Sequence, residues 1–162
     1  MSSDARRQGI RILLMGLAAF ILALAVTAAV KMWPVIYPEL VETAVLDPNC
    51  DLRQGPCTSQ LPSGGSIGFG IEPRSIPLLK RLRLQVRTAG VNALSVQVDF
   101  SGVDMNMGYN RFALSREADG LFTGEAVLPV CVRQWMRWKA TVMVSTPAGI
   151  VAAPFLFDTV AP

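Results

Sequence analysis

Two hydrophobic rhythms divide the chain. Between Ile12 and Val30, ILLMGLAAFILALAVTAAV, nineteen residues pass without a charge, and at 1.5 Å per residue a helix of that length crosses a bilayer core of about 30 Å. Past residue 66 the period drops to two. IGFGI (67–71), LRLQV (82–86), LSVQVDF (94–100), FALSRE (112–117), LFTGEAVL (121–128), WKATVMV (138–144) and IVAAPFLF (150–157) are short and rich in β-formers, and Gly, Pro, Asn or Asp separates them. The pattern predicts an all-β domain, an immunoglobulin-like antiparallel sandwich of about seven strands, preceded by one transmembrane helix. No three-to-four apolar spacing recurs there, so helix is expected to be scarce beyond the membrane. EADG (117–120) and TPAG (146–149) read as hairpin connections whose terminal glycines supply positive φ.

Flanking residues set the expected topology. Arg6, Arg7 and Arg11 precede the apolar run and only Lys31 follows it closely, which by the positive-inside bias leaves the N-terminus in the cytoplasm and exports the rest. Trp33 and Tyr37 fall where an interfacial aromatic belt would sit. The competing reading is a cleaved signal peptide; the run is longer than a usual h-region of about 7–15 residues, and KMWP (31–34) offers no small-x-small cleavage site. Pro34, Pro38 and Pro48 interrupt helical continuation. The expected plan is a cytoplasmic tail over 1–11, a membrane helix over 12–32, a stalk over 33–65 and a periplasmic sandwich over 66–162, in a single-pass protein of the bacterial inner membrane.

Charge narrows the partners. The formal net charge of +3 resides in Arg6, Arg7, Arg11 and Lys31 against Asp4, because from Pro38 onward eleven basic residues meet eleven acidic ones. An exported part without net field is not expected to bind nucleic acid. Cys50 and Cys57 bracket DLRQGP outside the reducing cytosol and are expected to pair. Their spacing is wider than the Cys-x-x-Cys of disulfide oxidoreductases, although a redox-active or metal-binding pair stays open. Cys131 has no obvious partner; burial, pairing with another chain or ligand binding would each account for it. There is no histidine, which excludes imidazole-based triads, His-Glu-x-x-His zinc sites and imidazole-rich copper(II) sites within the chain. Phosphate-loop and dinucleotide fingerprints are also missing. No enzyme is expected.

The remaining chemistry is sulfur. Leu94, Val96, Val98 and Phe100 share one parity, so Met105 and Met107 should project to the opposite side unless a bulge at Gly102 intervenes. Trp138, Ala140, Val142 and Val144 form an apolar face that leaves Met143 opposite, with Lys139, Thr141 and Ser145. Met136 reads as part of a connecting turn, and Cys131 falls off the core parity of Phe122, Ala126 and Leu128. Soft thioethers and a thiolate together select copper(I) over hard or imidazole-preferring ions. Met105 and Met107 are therefore candidate copper(I) ligands, with Cys131, Met136 or Met143 to complete the set. Methionine is also an adaptable packer, so the same face could instead cover an apolar patch or a partner.

The order of VDMNMG (103–108), DGLFTGEAVLP (119–129), RWKATVMV (137–144) and a final FLF (155–157) after a membrane span resembles the YtkA-like and FixH-type membrane-anchored domains of bacteria. The matched features are Met105 and Met107, Gly120-Leu121-Phe122-Thr123-Gly124 and Trp138, within roughly residues 66–158. This sequence lacks the histidine that commonly accompanies those methionines and adds Cys131, a departure that puts copper(II) binding in doubt and leaves copper(I) open. The resemblance also implies a role in copper delivery or oxidase assembly, with a cuproenzyme or oxidase subunit as partner. The alternatives are a metal-free structural or interaction subunit using the methionine face with Trp135 and Trp138, and a thiol relay through Cys50, Cys57 and Cys131.

Overall fold

The computed structural model of the chain describes residues 2–36, 39–105, 107–130 and 135–160, which form two separate units divided at Glu39 and Leu40. The first is a single helix, α1 (Ser2–Ile36). Within it Leu13–Met32 is long and apolar enough to cross a membrane, a property that a signal sequence shares. Thr27 turns its hydroxyl back onto the Ala23 carbonyl at 2.7 Å, the usual way a helix keeps such a group satisfied in an apolar medium. Pro34 does not end the helix as the sequence suggested. It lies in the last turn, where its missing N–H costs a single bond to the carbonyl of Val30.

The second unit contains nine strands: β1 (Leu40–Thr43), β2 (Cys57–Gln60), β3 (Ser66–Glu72), β4 (Arg81–Ala89), β5 (Ser95–Gly102), β6 (Arg111–Ala118), β7 (Leu121–Val127), β8 (Trp135–Thr146) and β9 (Gly149–Val160). They are hydrogen-bonded in the order β1-β9-β8-β5-β6-β7-β4-β3-β2. All pairs are antiparallel except β1 with β9. Seven of the nine coincide with the alternating segments. The expectation of seven antiparallel strands in two separate sheets gives way to one continuous curled sheet, because β6 serves both halves. Its first residues pair with β5 (Asp99↔Arg111 to Val96↔Leu114) and its last with β7 (Ser115↔Thr123 to Ala118↔Leu121).

Curling brings non-adjacent strands face to face. Phe69 on β3 and Phe155 on β9, each one strand in from an edge, stand 5.4 Å apart at their ring centroids. The strict alternation of β4 (Leu82, Leu84, Val86), β5 (Val96, Val98, Phe100) and β8 (Trp138, Ala140, Val142, Val144) sends these side chains into the core, as period two dictates. Leu94, expected with them, is exposed, since it precedes β5. At the open seam Glu42 of β1 accepts hydrogen bonds from the Ser63 amide at 2.5 Å and its hydroxyl at 2.6 Å, tying the two edges together. Both anticipated hairpins form. At Gly120 (φ +67°) a side chain would also meet the Thr88 carbonyl at 2.5 Å, so glycine is required there twice over.

The segment expected to be a stalk belongs to the domain. Residues 40–65 supply β1 and β2, and Ala44, Leu52 and Leu61 are buried in the core. Cys50 and Cys57 are disulfide-bonded with Cα atoms 5.7 Å apart, closing the loop that carries Leu52, which is 1% exposed. The bond restricts the unfolded chain by about 2 kcal/mol for a loop this short. The Cys50→Ser/Cys57→Ser variant should therefore lose about that much stability, and hydrogen exchange should accelerate first at residues 51–56.

Candidate functional site

Methionine chemistry gathers at one end of the sheet, where β5 stops, β6 starts and β8 begins. Gly102 closes the β5–β8 ladder opposite Trp138, and Val103 N–H adds one further bond to the Arg137 carbonyl at 3.0 Å. Beyond that point the chain leaves strand geometry, so parity no longer governs Met105 and Met107. The connection to β6 is held at its base by Phe100 N–H on the Asn110 carbonyl, 2.9 Å. Inside it the Asn110 amide donates to the Met107 carbonyl at 2.8 Å. This local turn, with Gly108 at φ +74°, rolls Met107 inward to a half-buried position against the core; Met105 is half-buried as well.

Met136 is not in a turn. β8 starts at Trp135, three residues earlier than its apolar run suggested, and Met136 continues the inward series of Trp138 and Ala140. It is 7% exposed and part of the core. The signal was present: Trp135, Arg137, Lys139 and Thr141 alternate with Met136, Trp138 and Ala140 from the start of the strand. Met107 and Met136 thus meet over one point, the missing side chain of Gly102. A Cβ at position 102 would lie 3.3 Å from Met107 Cγ and would collide with the Met136 terminal methyl and the Met105 carbonyl oxygen.

Of the other candidates, Met143 does not join this group. Met143 takes the outward parity as anticipated, between Gln97 and Ala152. Seven positions along β8 separate it from Met136, about 23 Å at strand rise. Cys131 lies outside the described residues. Among the described residues no three of His, Cys, Asp or Glu lie close enough to share a metal ion.

Around the methionines runs a mixed rim. Trp135 (48% exposed), Tyr109 (78%) and Val103 (50%) face solvent. Arg137 lies over the Trp135 ring at 5.4 Å and Arg111 over Tyr109 at 5.2 Å. Each guanidinium has a carboxylate, Asp158 at 3.1 Å and Asp99 at 3.5 Å respectively. The Asp158 hydrogen bond, then its charge, hold Arg137 above the ordinary arginine range, with Asp104 adding a smaller pull and desolvation opposing. Arg137 therefore stays cationic throughout the accessible pH range. Beneath the rim this end of the curled sheet is filled by aromatic rings: Trp138 stacks on Phe157, and Phe100 meets Phe157 and Phe112 edge-on. Comparison with known protein families, with curated proteins and with solved structures returns no match to this chain.

Proposed function

We propose that this protein is a membrane-anchored copper(I)-binding accessory domain, exported to the periplasmic side of the bacterial inner membrane with its N-terminus in the cytoplasm. It would deliver copper(I) during assembly of a cuproenzyme such as a respiratory oxidase. The observation that carries the reading is the approach of the Met136 terminal methyl and Met107 Cγ to one point over the bare Cα of Gly102, with the backbone carbonyl of Met105 against the same point. The donor set fits the ion. Uncharged thioethers favour a soft monovalent d10 cation and offer little to zinc or copper(II), which prefer imidazole or anionic ligands. Met105, Met107 and Met136 would hold it, and Cys131, four residues before β8, could add a thiolate; Met143 is too far along the strand. The apolar helix and the disulfide support an anchored protein in an oxidising compartment. The resemblance of the motif order to YtkA-like and FixH-type domains supports an assembly role in this reading.

Copper(I) competition titration of the full chain in detergent, against a chromogenic copper(I) chelator, tests this. The Met105→Leu/Met107→Leu variant removes two soft ligands and should bind at least about tenfold more weakly, a loss of about 1.4 kcal/mol or more. Equal affinity would remove the proposal.

A second reading follows from the burial of Met136. The methionines would only close this end of the curled sheet, and the exposed Trp135 and Tyr109 with their arginines would contact another subunit of a membrane complex, since Trp, Tyr and Arg dominate binding hot spots. Co-purification that survives copper chelation and is lost in Trp135→Ser would favour this reading.

A further inference from the structure

Position 102 is occupied by its neighbours. Phe100 and Trp138 on either side of Gly102 point into the core, so a side chain at 102 would point inward as well. The terminal methyl of Met136 stands in the space where that side chain would begin, with Met107 Cγ 3.3 Å away and the Met105 carbonyl oxygen against it. A methionine has three rotatable side-chain bonds and a low cost for changing them, so the methyl can leave while the sulfur stays. A branched or shorter apolar residue at 136 would fill the same gap without that freedom.

Resting on the copper(I) reading, we propose that Gly102 is the positioning residue of the site and Met136 its movable member. In the metal-free protein the Met136 methyl plugs the space above Gly102. When a soft monovalent cation binds, rotation about the Met136 Cγ–Sδ bond swings that methyl out of the plug and aims the lone pairs of the stationary sulfur toward Met107 and Met105. No bond to protein is made or broken apart from metal ligation, and no electron is transferred. Glycine at 102 is what makes the rotation possible, because a Cβ would occupy the swept volume and push on the Met105 backbone. The inward face of β8 supplies the rest. The sequence makes position 136 methionine and 102 glycine, and the register sets them two residues apart across one ladder.

The test uses the full chain in detergent, labelled with 13C at the methionine methyls and titrated with silver(I), a redox-inert stand-in for copper(I). In wild type the methyl resonances of Met107 and Met136 should both move and saturate together, while Met143 stays still. Gly102→Ala should weaken silver(I) binding at least tenfold and leave the Met136 methyl unmoved. Should Gly102→Ala fail to fold, Met136→Leu decides. It keeps the bulk of the plug and removes the sulfur, so a tenfold loss is expected and unchanged affinity overturns the proposal. Wild-type binding that Gly102→Ala matches, or saturation without a shift at Met136, overturns this inference and leaves the copper(I) reading standing. Absence of any silver(I) or copper(I) response in wild type removes that reading itself.

Discussion

Replacing Trp138 by alanine lowers the unfolding free energy of the β-sheet unit by about 3–5 kcal/mol, the range for deleting a large buried aromatic. The side chain is fully buried and is the largest in the core. Three supports vanish with it: apolar area removed from water, the stacked contact with Phe157, and the hydrogen bond from its indole N–H to the Thr159 hydroxyl at 2.9 Å. The last loss is worse than neutral, because Thr159 is itself only 1% exposed and its hydroxyl would be left without that partner in the interior. Pulse proteolysis of the full chain in a urea series reads the change, since cleavage reports the unfolded fraction of the sheet irrespective of the helix. Thr159→Val separates the terms. It keeps the shape, strands the indole N–H and should cost about 1–3 kcal/mol alone. A Trp138→Ala loss below the Thr159→Val loss would mean that this end of the curled sheet collapses around the cavity.

Much of this architecture was legible as alternation. The segments at 67–71, 82–86, 94–100, 112–117, 121–128, 138–144 and 150–157 each lie on or within one residue of a strand, because a sheet with one buried face writes its parity into the sequence. The two missed strands carry no such record. LVET (40–43) and CTSQ (57–60) are four residues long and sit at the sheet edges. β1 is held by parallel pairing to a strand more than a hundred residues away, with Ala44 N–H extending it onto the Ala152 carbonyl at 2.8 Å. Non-local pairing leaves no local periodicity. Leu52 is a similar case, a core residue in an irregular loop that the Cys50–Cys57 disulfide closes. At the methionine end, parity was extended past the point where it applies. β5 stops at Gly102 and the chain turns, so Met107 packs inward where the two-residue count put it outside. For Met136 the count was right but started too late.

Phe155→Ala should cost about 3–5 kcal/mol by the same large-to-small rule, and here the effect tests how the sheet closes. Phe155 is 1% exposed and Phe69 wholly buried. Their strands share no hydrogen bond, since β9 and β3 are each next to an opposite edge of the series. Their rings nevertheless meet at 5.4 Å with planes inclined by 42°, a contact that exists only if the two halves of the sheet face one another across the core. The Glu42–Ser63 hydrogen bonds join the same two edges at the surface, but an exposed carboxylate pairing contributes little beside two buried rings. A double-mutant cycle with Phe69→Leu and Phe155→Leu isolates the pair and should return a coupling of about 0.5–1.5 kcal/mol. A flat, open sheet would give additive losses, because neither ring would then sense the other. The methionine end does not depend on this closure, since Gly102, Met107 and Met136 are brought together by the direct pairing of β5 with β8 and β6.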